Sequence, residues 1–308
     1  MNLNYKTYIG SACKRNYEES INHLMSLLEL YNKFIAEPKD DFKKGKKGSG
    51  SLVVLGSCYG GIASQSLVEF NDVESFKQNI YVCAKLHIMS SYRMKDIHCY
   101  LAWQIFLSDS PELMEYIRSN SAEFKKEYNK LTVRYGGIRF YYILLALDDD
   151  WEQLEKSVTT LLESNKKTQA RYIPDYKFFL SMCKKDIQGM EEALNMLLVP
   201  KVAKRRMYDL DVDFDFYLNI IVLTYAKIAA LKGFNLNIDH PTAPKELIVY
   251  APLKEYKDPY DFMQEYSFDT HLEWGEKRIQ IEHEADMEAK KLKNRIKAKF
   301  KRLFRIGE

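Results

Sequence analysis

A chain of 308 residues is long enough for one large helical domain or two modest ones. Hydrophobic residues at 46% and charged residues at 29% exclude a disordered chain, and 13 glycines with 8 prolines are too few for the many turns of an all-β fold. The formal net charge of +3 is too small to argue by itself for nucleic acid or a membrane surface.

Helical periodicity starts early. Tyr17–Ala36 lines up Ile21, Leu24, Met25, Leu28, Tyr31 and Phe34 on one helix face. Pro38–Ser51, with its KKGKKGSGS run, reads as an exposed loop. The run Leu52-Val53-Val54-Leu55 suits either a short strand or the start of a buried helix. The small residues that follow (Gly56, Ser57, Gly60, Gly61, Ala63, Ser64) would allow close packing. A helix is expected over Val73–Tyr92, another over Asp96–Phe106, and a third over Pro111–Ser119, opened by Ser110 as N-cap and Pro111 at the first position.

The middle of the chain contains an echo at an offset of 36 residues. Asp150 matches Asp186, Leu154 matches Met190, Glu155 matches Glu191, Val158 matches Leu194, and Leu161-Leu162 matches Leu197-Leu198. Each copy reads as helix, polar turn, helix. The period fits a tetratricopeptide-like hairpin, yet two copies fall short of the roughly three that a solenoid needs. Two adjacent αα-hairpins in an irregular bundle satisfy the same pattern.

Phe214–Phe234 is the most apolar stretch and is expected to be a central buried helix stopped by Gly233. A loop punctuated by Pro241, Pro244, Pro252 and Pro259 follows. His271–Phe304 reads as one long charged helix with the apolar stripe Ala285, Ala289, Leu292, Ile296, Phe300 and Leu303. The expected fold is all-α, an irregular bundle of αα-hairpins. Its regions are residues 1–130, a hairpin region over 131–270, and the basic C-terminal helix over 271–308, folded together as one compact domain.

Few residues suggest chemistry. Gly56-Ser57-Cys58-Tyr59-Gly60 has the GxCxG form of a nucleophile elbow, but the chain lacks the alternating strands and helices of that fold. A buried, small-residue helix is the better reading of Cys58. The histidines 23, 87, 98, 240, 271 and 283 form no ligand-pair spacing, and His87 on an apolar face reads as a hydrogen-bonded core residue. The glycines near Lys43–Lys47 spell no phosphate loop. Five cysteines without a CxxC pair read as reduced thiols of a cytoplasmic protein. No leader is expected at Met1–Arg15, and no run approaches the ~20 apolar residues of a membrane span. No cofactor, metal or catalytic residue is therefore expected.

Two aspartate clusters stand out. Asp148, Asp149 and Asp150 fall at an inter-helix turn, and Asp209, Asp211, Asp213 and Asp215 alternate ahead of the central helix. Helix capping accounts for Asp150 and Asp215 but does not need seven carboxylates. The clusters are candidate contacts for a basic protein partner. Calcium-loop spacing is absent. The tail Lys290–Glu308 carries nine basic residues and one acid. It is expected to pack its stripe on the domain rather than to bind nucleic acid or lie on a membrane surface.

The segment from Tyr217 to Gly233, continued by Phe234-Asn-Leu-Asn-Ile-Asp239-His-Pro241-Thr-Ala-Pro244-Lys-Glu-Leu247-Ile, resembles the C-terminal part of the Imm49-type immunity proteins of bacterial polymorphic toxin systems. The hairpin ending Asp186-Ile-Gln-Gly-Met190 resembles that family's middle region, so the likeness covers residues 135–255. It implies a protein that neutralises a cognate toxin by binding and occlusion, with no catalytic residues to carry over. A helical-repeat adaptor that binds a protein or peptide of the host cell is the alternative.

Overall fold

The computed structural model describes residues 49–68, 70–92, 101–128, 137–164, 167–206 and 218–305, together with Ser26 and Glu29. Among the described residues the chain forms fourteen α-helices and two short 3-10 helices, with no β-strand. The fold is all-α.

The first two described helices, α1 (Ser49–Val68) and α2 (Val73–Ser90), pack along each other more extensively than any other pair. The run Leu52–Leu55 is helical. With no strand to pair with, its backbone groups bond within the helix. Small residues allow the close approach: a Cβ at Gly56 would sit 2.5 Å from the His87 ring. The Asp72 carboxylate caps α2, accepting from the Ser75 backbone at 2.9 Å and its hydroxyl at 2.6 Å, and these bonds hold it below the usual carboxylate range. Five consecutive α2 residues, Ile80 to Ala84, are buried, so protein covers this helix on every side.

Then come α3 (Leu101–Ser108), α4 (Pro111–Ser119) and α5 (Ser121–Tyr128). Ser110 caps α4 and Pro111 occupies its first turn, as expected. The hairpin region supplies α6 (Gly137–Leu147), α7 (Trp151–Glu163), a 3-10 turn at Lys167–Tyr172, α8 (Ile173–Cys183), α9 (Ile187–Leu198) and α10 (Pro200–Arg206). The echo is structural: Leu154 and Met190, and Val158 and Leu194, are all fully buried at equivalent places.

The central helix is α11 (Ile220–Leu231), buried from Ile220 to Ala229. Asn219 caps it, and Gly233 ends it at φ +84, with the Phe234 amide bonding back to the Ala229 carbonyl at 2.9 Å. Against it Phe178 stacks on Tyr225 at 5.0 Å and 12°, with Phe179 edge-on to both rings. The proline-marked segment holds α12 (Lys245–Ile248) and then runs extended to Tyr260. It is followed by α13 (Asp261–Gln264), a 3-10 turn at Phe268–Thr270, and α14 (His271–Arg305).

At 35 residues α14 is about 52 Å long. Its first turns dock on the body: the Trp274 indole donates to the Met89 carbonyl at 3.2 Å, and Gly275 lies so close to Tyr92 that a Cβ would be 2.0 Å from that carbonyl oxygen. Tyr92 and Glu282 form a short hydrogen bond. The expectation that the whole stripe packs on the domain is corrected here. Ile281 and Ala285 are half-covered, but Leu292 is 59% and Ile296 47% exposed. The body's packing surface ends after about four turns, and the helix continues past it.

Candidate functional site

The aspartates of the first cluster sit where α6 ends. Asp149 adopts φ +58, its amide bonds to the Ala146 carbonyl, and the Asp150 amide reaches back to the Leu145 carbonyl at 2.9 Å. This closes the helix end with paired carbonyls. The next hairpin repeats the arrangement, with Lys185 at φ +54 and the Asp186 amide bonded to the Ser181 carbonyl at 2.9 Å. In each copy the aspartate that follows the positive-φ residue then caps the next helix: Asp150 accepts from Gln153 and Asp186 from Gly189.

The two turns lie side by side, since the Cys183 thiol reaches the Trp151 carbonyl at 3.7 Å. The end of α11 joins them through Lys232, which donates to the Leu147 carbonyl and pairs with Asp149, both at 2.8 Å. Asp148 accepts from Ser121 at 2.5 Å and Lys125 at 2.7 Å. All three predicted residues of this cluster thus have a local structural task. Surface pairs of this kind contribute about 0–1 kcal/mol, and Asp149 remains 64% exposed, so its charge still faces solvent. Asp209, Asp211, Asp213 and Asp215 lie outside the described residues.

Beside the turn, Tyr141, Tyr142, Gln153, Lys156, Ser157, Thr160 and Leu161 line an open cleft of about 290 Å³ between α6 and α7. It is small for a ligand site and mixed in character.

Cys58 is fully buried within α1, so the strand-turn-helix geometry that would expose a nucleophile is not formed there. His87 is a bonded core residue, as expected: Nε2 faces the Val53 carbonyl at 3.2 Å and Nδ1 faces Gln104 at 3.1 Å. If Nε2 donates to Val53, Nδ1 must accept. That chemistry wants the amide nitrogen of Gln104 toward the ring. His283 is exposed on α14.

Sequence reasoning missed the most unusual feature, a buried line of charge. Asp109, fully buried at φ +57 after α3, accepts from Lys77 at 2.8 Å and Lys227 at 2.6 Å. The extended segment completes the shell. Ala251 donates its amide to Asp109 and offers its carbonyl to Lys77, while the Val249 carbonyl takes Lys227. Burial pulls the Lys227 ammonium down to about 8, opposed by Asp109 and assisted by Lys77. Two turns along α2, Lys85 pairs with Asp258 at 2.7 Å, and Tyr81 bridges Asp258 and Glu112. Burial, then the two carboxylates, raises the Tyr81 phenol well above its ordinary value. The network pins residues 249–258 along α2. A signal was present: Lys227 interrupts the apolar run of α11, and Lys77 and Lys85 stand eight residues apart on a helix buried on all sides.

Compared with known proteins, the chain matches no protein-family model, no curated protein and no solved structure.

Proposed function

We propose that the chain is a protein-binding inhibitor, an immunity protein of the Imm49 type that neutralises a cognate toxin by occluding it. The observation that supports this reading most is the construction of the end that carries Asp148 and Asp149. Two consecutive turns and the end of α11 are fixed by backbone bonds at one place, with Asp148 and Asp149 exposed on it. Five carboxylates fall between Asp148 and Glu155. A rigid surface loses little conformational entropy on binding, and the exposed carboxylates of Asp148 and Asp149 would help to steer a basic partner, which together favour fast, tight association. The test is co-purification and titration with the toxin encoded beside this gene. A tight complex that abolishes toxin activity is expected, weakened at least tenfold by Asp148→Lys/Asp149→Lys. No association with that toxin would sink the immunity reading, and undiminished affinity of the double variant would move the surface elsewhere.

The matched turns at Asp149 and Lys185 favour a second reading, a helical-repeat adaptor for a host-cell protein or peptide. It predicts a bound partner in cells that lack the toxin gene.

A further inference from the structure

The far half of α14 has no task in that reading. From Asp286 to Arg305 it runs about 30 Å. Over this length the sequence places nine basic residues (from Lys290 to Arg305) against two acids, Asp286 and Glu288. The apolar stripe continues the line of Trp274, Ile281 and Ala285 by which the helix docks on the body, at spacings of three and four residues. Past Ala285, Leu292 and Ile296 on that line are exposed, and every residue from Asp286 to Lys299 is exposed as well. Lys293 flanks the stripe on one side, and Lys299 and Arg295 flank it on the other.

An apolar stripe between two basic flanks needs a partner that takes both. A second copy of this helix would supply the apolar contact, but pairing the segments in either direction sets nine cations against nine. Nucleic acid would neutralise the lysines but leave Leu292 and Ile296 in water. An anionic lipid surface accepts the side chains of the stripe below the headgroups, while the long lysine and arginine stems carry their charges up to the phosphates. We infer that residues 286–305 of α14 dock the protein, lying flat, on an anionic membrane surface. This is peripheral binding: among the described residues no helix is long and apolar enough to cross a membrane.

The experiment is co-sedimentation of the full chain with vesicles of phosphatidylcholine alone or with about 30% phosphatidylserine. Binding to the anionic vesicles at least tenfold above the neutral ones is expected, falling steeply between ~0.1 and ~0.5 M salt as the Debye length shrinks. Leu292→Glu/Ile296→Glu should lose at least tenfold in binding with an unchanged melting temperature, because both side chains are exposed. Lys293→Gln/Arg295→Gln/Lys299→Gln should abolish the preference for anionic lipid. Equal binding to both vesicles, or none, overturns the inference. So does a Leu292→Glu/Ile296→Glu variant that binds lipid normally, and so does salt-sensitive binding to duplex DNA that this variant retains, which would assign the segment to nucleic acid.

Discussion

Replacing Asp109 by asparagine tests the buried charge line most sharply. Asparagine keeps the volume and tolerates the left-handed backbone at φ +57, so the change removes the charge and little else. What remains is two ammonium groups, Lys77 and Lys227, at the place of one carboxylate and with almost no access to water. Removing one partner of a buried ion pair costs about 3–5 kcal/mol. With a urea dependence of ~3 kcal/mol per molar for a chain of this size, the unfolding midpoint should fall by about 1–1.7 M at pH 7. The deficit should also depend on pH. In the native protein Lys227 is pulled from 10.5 to about 8, so the unfolded chain binds more protons between those values and stability rises with pH there. The lysine's burial penalty, about 3 kcal/mol, is thus fully present below pH 8 and relieved toward pH 10.5. Without Asp109 the neutral amine is favoured still more. The variant should therefore regain much of its loss at pH 10, where the wild type gains less. Urea unfolding followed by far-UV circular dichroism at pH 7 and pH 10 measures both effects. A midpoint shift below ~0.3 M at pH 7, or an equal deficit at both pH values, would refute the argument.

Three further outcomes follow from the same structure. Gly275→Ala should lower the melting temperature by several degrees, because its Cβ would meet the Tyr92 carbonyl oxygen at 2.0 Å, whereas Gly50→Ala, with nothing within 4 Å, should be neutral or slightly stabilising. Lys185→Gly should stabilise by up to about 1 kcal/mol in urea, since it relieves a left-handed φ of +54, while Lys185→Val should destabilise. Burial holds His271 down to about 4, opposed by the nearby Ser91 backbone, which favours the charged ring, and its Nδ1 faces the Tyr266 hydroxyl at 2.8 Å. Its folded value lies below the ordinary 6.5, so its contribution, up to about 3 kcal/mol, is present above pH 6.5 and lost as pH falls toward 4. His271→Gln should flatten that limb of the pH–stability curve, and an unchanged limb would assign the loss to other groups.

Local signals in the sequence determined most of the elements, because helices are set by short-range periodicity and by their caps. Ser110-Pro111, Asp150, Asp186 and Gly233 marked helix boundaries where the chain alone satisfies the free backbone groups. The 36-residue echo was legible for the same reason, since it repeats a local bonding scheme. Two things needed the tertiary structure. The ion line joins Lys77, Asp109, Lys227 and the backbone of Val249–Ala251, groups up to 174 residues apart, and no spacing rule brings them together. The fate of the α14 stripe likewise turned on where the body ends. Periodicity gives a helix an apolar face, but whether that face is covered depends on what stands opposite. From Trp274 to Ala285 the body stands there, and at Leu292 and Ile296 water does.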